Sequence, residues 1–197
     1  MDIFRLPWGR PGRQPQTTDV RQDMTAADAP TNAVDPVAAA HELAPSRTSL
    51  PEARFAELAA TDLGTQTEFL AARLRSIGHS HANRLLQRFL GIKVRHYSVL
   101  SLAASGVNPS QRELSDFLSL DPSQIVSLVD ALEKQGWVER RVDPRDRRSR
   151  IVVATEAGQE AFALARQLTG ASDDVVLARL TPEERAELGR LLALVAY

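Results

Sequence analysis

The sequence predicts a mainly α-helical fold with one small β-hairpin, and three observations predict it. From residue 51 onward, apolar side chains recur at three- and four-residue steps, the period of helices buried on one face. Ser110, Asp121, Thr155 and Thr181 each stand where a helix start would need a capping residue. Between Gly136 and Thr155 the period shortens to two, in two runs separated by Asp143-Pro144-Arg145-Asp146, which is turn chemistry.

Composition narrows the function classes. The 197 residues fit one domain with a tail. The absence of cysteine removes disulfides, thiolate zinc sites, cysteine nucleophiles and thiol redox switches. No run approaches the ~18 apolar residues of a membrane span. The start, MDIFRLPWGRPGRQ, has no apolar core followed by a small-residue cleavage site, so the expectation is a cytoplasmic protein without a membrane partner. The net charge of −1 hides a partition. Residues 1–65 lean acidic by three charges and residues 66–197 lean basic by two. Residues 69–112 hold seven basic side chains and no acidic one. Of the 24 basic residues 22 are arginine, the better fork for phosphates and base edges.

Residues 1–50 carry Pro7, Pro11, Pro15, Pro30, Pro36 and Pro45 among Thr, Gln, Asp and Ala without a sustained period. Such a segment buries too little apolar surface to offset its ordering entropy, so a disordered tail is expected there. Phe4 and Trp8 are isolated within it, as in a plain tail or a docking peptide, and Met24 is an alternative start. Phe55 and Leu58 suggest a short helix. Leu70, Leu74, Ile77, Leu85 and Phe89, with His81 filling the gap, form one stripe on a long helix over about 66–90. Gly78 interrupts it, which costs ~1 kcal/mol relative to alanine and suggests a close approach there. Val94, Tyr97, Leu100 and Leu102 read as a further helix to Ala104, broken by Gly106-Val107-Asn108-Pro109.

Ser110-Gln111-Arg112-Glu113 is a capping box, with Leu114, Phe117 and Leu118 as the buried face of a helix that stops near Ser119. Asp121 and Pro122 open the next helix, whose stripe is Ile125, Leu128, Val129 and Leu132, and Gly136 ends it. Two short helices joined by so brief a turn match a helix-turn-helix. The hairpin that follows holds Arg145, Arg147 and Arg148 at its tip. Residues 137–150 contain six arginines against Glu139, Asp143 and Asp146. Thr155 caps another helix, with Ala163, Leu164 and Leu168 on it and Val175, Val176, Leu177 and Leu180 around its end. Thr181-Pro182-Glu183-Glu184 starts the last one, carrying Leu188, Leu191, Leu192 and Val195.

The string DPSQIVSLVDALEKQGWVERRVDPRDRRSRIVVATEAG resembles the winged helix-turn-helix core of the MarR family of bacterial transcription regulators. The most specific stretch runs from Leu132-Glu133-Lys134-Gln135-Gly136 through Asp143-Pro144-Arg145-Asp146-Arg147-Arg148 to Thr155-Glu156-Ala157-Gly158. The resemblance covers about residues 66–195. It implies a domain over 51–197, with a winged helix-turn-helix at about 92–155 between dimerisation helices at about 66–90 and 156–196. It further implies a homodimer on a pseudo-palindromic operator, most often a repressor.

A helix fits the major groove and meets base edges with its N-terminal residues. Ser123, Gln124 and Ser127 offer that polar end, Gln124 suiting adenine, while Val126 lies off the stripe and can touch a thymine methyl. The family often has a polar residue at the Val126 position and a longer basic one at the Ser127 position, so this chain departs at both. Resemblance implies that Arg148 enters the minor groove with Asp146 bracing it. Arg147 and Arg145 flank it. Arg140, Arg141 and Arg150 suit either DNA or a salt-bridged hairpin surface. Ser110, Gln111 and Arg112 suit phosphate contacts at a helix start.

Resemblance also implies a small-molecule effector between the dimerisation helices and the winged domain. His79, His81, His96 and Tyr97 are the candidates to line such a pocket; the alternative reading is that His81 is a satisfied interface histidine and His79 a surface one. No metal or other cofactor is expected, since His79 and His81 are two apart and cannot share a helix face. There is no glycine-rich phosphate loop and no nucleophile elbow, so no enzyme is expected. The alternative is a winged-helix module whose wing meets an acidic protein instead of double-stranded DNA.

Overall fold

The computed structural model describes residues 34–45 and 49–197. The readings made on Phe4, Trp8 and Met24 lie outside the described residues. The described elements are, in order, α1 (Pro36–Glu42), α2 (Glu52–Ala59), α3 (Asp62–Thr65), α4 (Thr67–Leu90), α5 (Val94–Ala104), α6 (Gln111–Leu118), α7 (Pro122–Lys134), β1 (Val138–Val142), β2 (Arg150–Ala154), α8 (Glu156–Val176) and α9 (Pro182–Ala196). Mainly α with one antiparallel hairpin is therefore the fold, as the sequence predicts. The register runs from Val138 opposite Ala154 to Val142 opposite Arg150.

Two apolar cores divide the work. The first closes the head: Leu100 of α5, Leu114 of α6, and Ile125, Val129 and Leu132 of α7 meet Val138 and Val152 of the hairpin. Each full burial of such a side chain contributes roughly 1.5–3 kcal/mol. One face of α6 differs from expectation. Leu114 is buried and Leu118 half-buried, but Phe117 is exposed, with its ring 6.0 Å from that of Tyr197. Ser115 takes the buried place and donates its hydroxyl to Leu120 O at 2.6 Å.

Backbone joints fix the hairpin to its neighbours. Val152 N donates to Pro109 O at 2.8 Å, and Ser110 bridges Ile151, so the start of α6 rests on β2. At the other edge Thr155 Oγ1 caps Gly158 N and also donates to Gly136 O at 2.6 Å. The Trp137 carbonyl lies so close to α8 that a Cβ on Gly158 would stand 1.9 Å from its oxygen. That contact explains the glycine in Thr155-Glu156-Ala157-Gly158. Gly78 has no such neighbour: nothing in the described chain comes within 4 Å of a Cβ placed there.

The second core joins α4 and α8 through Leu85, Leu86, Ala165 and Leu168, and it also takes in Ala39 and Ala40 of α1. Residues 34–45, assigned to disorder by composition, therefore form a docked helix. Asp35 Oδ1 accepts from Val37 N and Ala38 N at 3.0 and 3.1 Å, and Pro36 occupies the first turn. At the C-terminal end, basic side chains of α4 satisfy carbonyls that the helix itself cannot. Arg84 donates to Leu43 O from Nε and from its terminal nitrogen, at 3.3 and 3.0 Å. Arg88 pairs with Glu42 at 2.9 Å. His81 is fully buried and bonds Ala40 O through Nε2 at 3.0 Å. A carbonyl only accepts, so Nε2 carries the proton and Nδ1 is free to accept from Ser172 Oγ at 3.1 Å.

His81 is held neutral. Desolvation by burial lowers its pKa most, with Arg84 and His41 adding to the effect against the opposing hydrogen bonds. The unfolded chain then binds more protons than the folded one, so stability is full above the ordinary histidine value and falls as pH drops below it. Burial also lowers His79 and His96, so His81 supplies only part of the slope. In urea melts the wild type should lose stability between pH 7.5 and 5.5. His81→Leu should flatten that dependence while costing about 1–3 kcal/mol at pH 7.5, because Ala40 O and the Ser172 hydroxyl lose their partner.

Candidate nucleic-acid interface

Helix α7 presents one apolar and one polar face. Ile125, Leu128, Val129 and Leu132 are buried, while Ser123, Gln124, Val126 and Ser127 are exposed. Asp121 is the N-cap residue, although its side chain makes no capping hydrogen bond. Ser127 Oγ donates back to Ser123 O at 3.0 Å, which leaves its lone pairs outward. The preceding helix is capped reciprocally: Glu113 N donates to Ser110 Oγ at 3.2 Å, and Ser110 N to Glu113 Oε2 at 2.7 Å. These two bonds with Ser110 lower the Glu113 pKa, the backbone one most. The amides of Gln111 and Arg112 lie in the same first turn, and the Arg112 side chain is almost wholly exposed.

The hairpin arginines divide into held and free. Arg140, half-buried, is held by three partners. Its guanidinium bonds Glu133, Asp130 at 2.6 Å and, through Nε, Gln111 Oε1 at 3.0 Å. Glu133 Oε1 also accepts from Arg140 N at 3.0 Å. Arg141 pairs with Glu139. At the turn, Asp143 is buried and accepts from Arg145 N at 2.8 Å and from its guanidinium at 3.0–3.3 Å. Those bonds hold the Asp143 carboxyl below the usual range, the side-chain bond counting most. Asp146 Oδ1 accepts from Arg148 N at 3.0 Å, so it shapes the backbone of Arg148 and leaves the guanidinium outward. Arg147, Arg148 and Arg150 are exposed and have no ion pair among the described residues.

The predicted residues thus lie on one head, at the starts of α6 and α7 and at the hairpin tip. Two of them are already engaged within the head. Gln111 is tied to Arg140, and Arg145 is engaged by Asp143. Asp143 belongs to the turn motif, whereas Arg140 stands outside any motif. The signal for Arg140 is the strand period, which puts it on the same side as buried Val138.

Three of the four expected effector residues are engaged within the chain. His81 has both ring nitrogens engaged within the chain. His96 Nδ1 accepts from Lys93 N at 3.3 Å as part of the α5 cap. Tyr97 stacks on Phe162 with centroids 6.2 Å apart. His79 is half-buried, and its pKa is lowered by that burial and by the charges of Arg75 and Arg95.

A MarR family model matches residues 90–149. The putative transcriptional regulatory protein for the hcr operon of Thauera aromatica is 33% identical over 102 residues, covering 52% of this chain and 61% of that protein. The chain therefore spans about three-fifths of that relative. A MarR-family transcriptional regulator from Rhodococcus sp. RHA1 superposes with TM-score 0.66 at 32% identity, over 70% of this chain and 97% of that one. CouR from Rhodococcus jostii RHA1, crystallised with p-coumaroyl-CoA, does so with TM-score 0.62 at 35% identity, over 70% and 96%.

The contrast between held and free arginines has a measurable consequence. Arg140→Ala should lower unfolding stability by about 1.5–3 kcal/mol, since it removes charge-assisted bonds to three partners. Arg148→Ala should leave the melting curve unchanged. Equal melting curves for the two variants would contradict the division.

Proposed function

The chain belongs to the MarR family of transcriptional regulators, and from that premise we propose that it is a sequence-specific double-stranded DNA-binding regulator. It acts in the cytoplasm as a homodimer on a pseudo-palindromic operator, as a ligand-responsive repressor and not as an enzyme. The observation that carries this reading is the pairing, on one rigid head, of an exposed polar first turn of α7 with a hairpin tip of unpaired arginines. Ser123, Gln124, Val126 and Ser127 meet base edges in the major groove. Arg147 and Arg148 reach the flanking minor groove, where narrow width concentrates negative potential. The α6 amides of Gln111 and Arg112, with Ser110 at the cap, sit against phosphates. Arg145 keeps its charge near the backbone while Asp143 holds it.

The dimer is supported by α9. Among the described residues none of this helix is buried, and Leu191, Leu192, Leu194 and Val195 are exposed, Val195 to 89%. A monomer rarely leaves so continuous an apolar surface in water. Two copies would set the reading helices about one DNA turn apart. The ligand response is supported by CouR, which was crystallised with p-coumaroyl-CoA.

Gel-shift titration on duplex DNA flanking its own gene tests the reading. Arg148→Ala should weaken binding by ~1–3 kcal/mol, and wild-type affinity should fall steeply with salt. Affinity indifferent to both would leave a protein-interaction module instead. Leu191→Glu with Leu192→Glu should convert the dimer to a monomer in light scattering and lose the shifted band.

A further inference from the structure

The reading edge of α7 is neutral. Residues 122–129 carry no charged side chain, and the basic residue of this helix, Lys134, lies in its last turn. The charge at its front is a carboxylate, that of the exposed N-cap Asp121, which makes no capping hydrogen bond. Guanine shows the major groove two acceptors, O6 and N7, and the commonest specific contact to them is an arginine or lysine side chain. This edge offers neither. Ser123, Val126 and Ser127 are neighbours on one helix surface, at spacings of three and four, and Val126 is 42% exposed. A serine hydroxyl has one proton to donate. Ser127 gives it to Ser123 O at 3.0 Å, so toward the groove it shows lone pairs only. An acceptor beside two methyl groups fits A·T best, because that pair presents an amino group at adenine N6 and a methyl group at thymine C5. A G·C pair presents the amino group of cytosine without a methyl group.

We propose that α7 reads A·T pairs through this apolar and acceptor surface, with Val126 packed on a thymine C5-methyl group and Ser127 accepting from an adenine N6 amino group. The inference rests on the DNA-regulator reading and names the bases that reading leaves open. Cytosine satisfies Ser127 but leaves Val126 without a methyl group. Guanine O6 and N7 meet the Ser127 lone pairs and the Asp121 carboxylate as acceptor against acceptor. Affinity and sequence choice then come from different elements of the head. The unpaired Arg147 and Arg148 attract duplex DNA through its phosphates and groove potential, whereas Val126 and Ser127 add no charge and discriminate between bases. Loss of a tip arginine therefore weakens all duplexes in a similar proportion, and loss of Val126 or Ser127 changes which duplex is preferred.

The test starts from duplexes that the full chain selects out of a randomised pool. The selected duplex is resynthesised with uracil at single thymines, which removes the methyl group and keeps the hydrogen-bonding edge. It is also made with unsubstituted purine at single adenines, which removes the N6 amino group. At one thymine position of the half-site, uracil should weaken wild-type binding about fourfold, the contribution of roughly one buried methyl group. Val126→Ala should bind the thymine and uracil duplexes alike and keep the wild-type melting curve. At one adenine position, purine should weaken the wild type about fivefold and leave Ser127→Ala unaffected. Uracil tolerated at every thymine overturns the proposal. A uracil penalty that persists in Val126→Ala, or a purine penalty that persists in Ser127→Ala at every sensitive adenine, also overturns it. Selection that enriches no sequence removes the regulator reading and this proposal with it, whereas enrichment followed by tolerance of uracil removes the proposal alone.

Discussion

Arg140 stands where the reading helix, the helix before it and the hairpin meet, and the geometry of the head depends on it. Its guanidinium reaches Asp130 and Glu133 on α7 and Gln111 on α6 from a position on β1. An apolar core alone allows neighbouring elements to slide, because dispersion and burial are not directional. Fixed forks are directional, and a guanidinium with three partners in two helices permits one arrangement. The second Glu133 bond, to Arg140 N, extends the constraint to the strand backbone. The C-terminal half of α7, the start of α6 and the hairpin are thereby held as one body, which any reader of two adjacent grooves requires.

The carboxylates of the head follow a consistent pattern. Glu133, Asp130, Glu139 and Asp143 each hold an arginine at the base of the hairpin or at its first bend. None holds Arg147 or Arg148. Asp146, the carboxylate nearest the tip, bonds the Arg148 backbone and not its side chain. The positive potential is therefore strongest at the end farthest from the core. Net charge describes this poorly: the chain totals −1 while its outermost loop is cationic.

Local signals in the sequence predict the head well, because its elements are specified by local chemistry. The reciprocal cap at Ser110 and Glu113, the period of α7 and the turn after Val142 all act within a few residues. The left-handed Ser119 (φ 51°) ends α6 where the apolar period stops. Helix α1 shows the limit of such signals. Asp35-Pro36 has the same pairing as Asp121-Pro122, and both open helices. The second is credited because an apolar stripe follows it. After the first come only Val37 and alanines, and what holds α1 is contributed by His81, Arg84 and Arg88, over forty residues away. Similarly, Phe117 fits the stripe of α6, but it stays exposed beside the ring of Tyr197 at the far end of the chain. Among the proposed site residues, motif and position indicate which ones are outward. They do not indicate that Gln111 and Arg145 already have partners, because those partners come from tertiary packing.

The long helix α4 is not uniformly supported, and that asymmetry bears on the proposed dimer. Its buried residues, His81, Ala82, Leu85 and Leu86, all lie in the second half, where α1, α5 and α8 surround it. The first half has no fully buried residue, and its Leu70, Leu74 and Ile77 line an apolar cavity of about 950 Å³. Regions with few buried contacts open at lower free energy than the rest of a domain. Whatever packs against such a region supplies contacts that the chain lacks, at the entropic cost of ordering it. The end of α8 forms the opposite wall, and α9 leaves from it through Arg185. In the proposed dimer the arm that sets the spacing of two reading heads is thus anchored beside the least buried part of α4. The well-packed half of α4, with His81 satisfied on both nitrogens, has little capacity to respond.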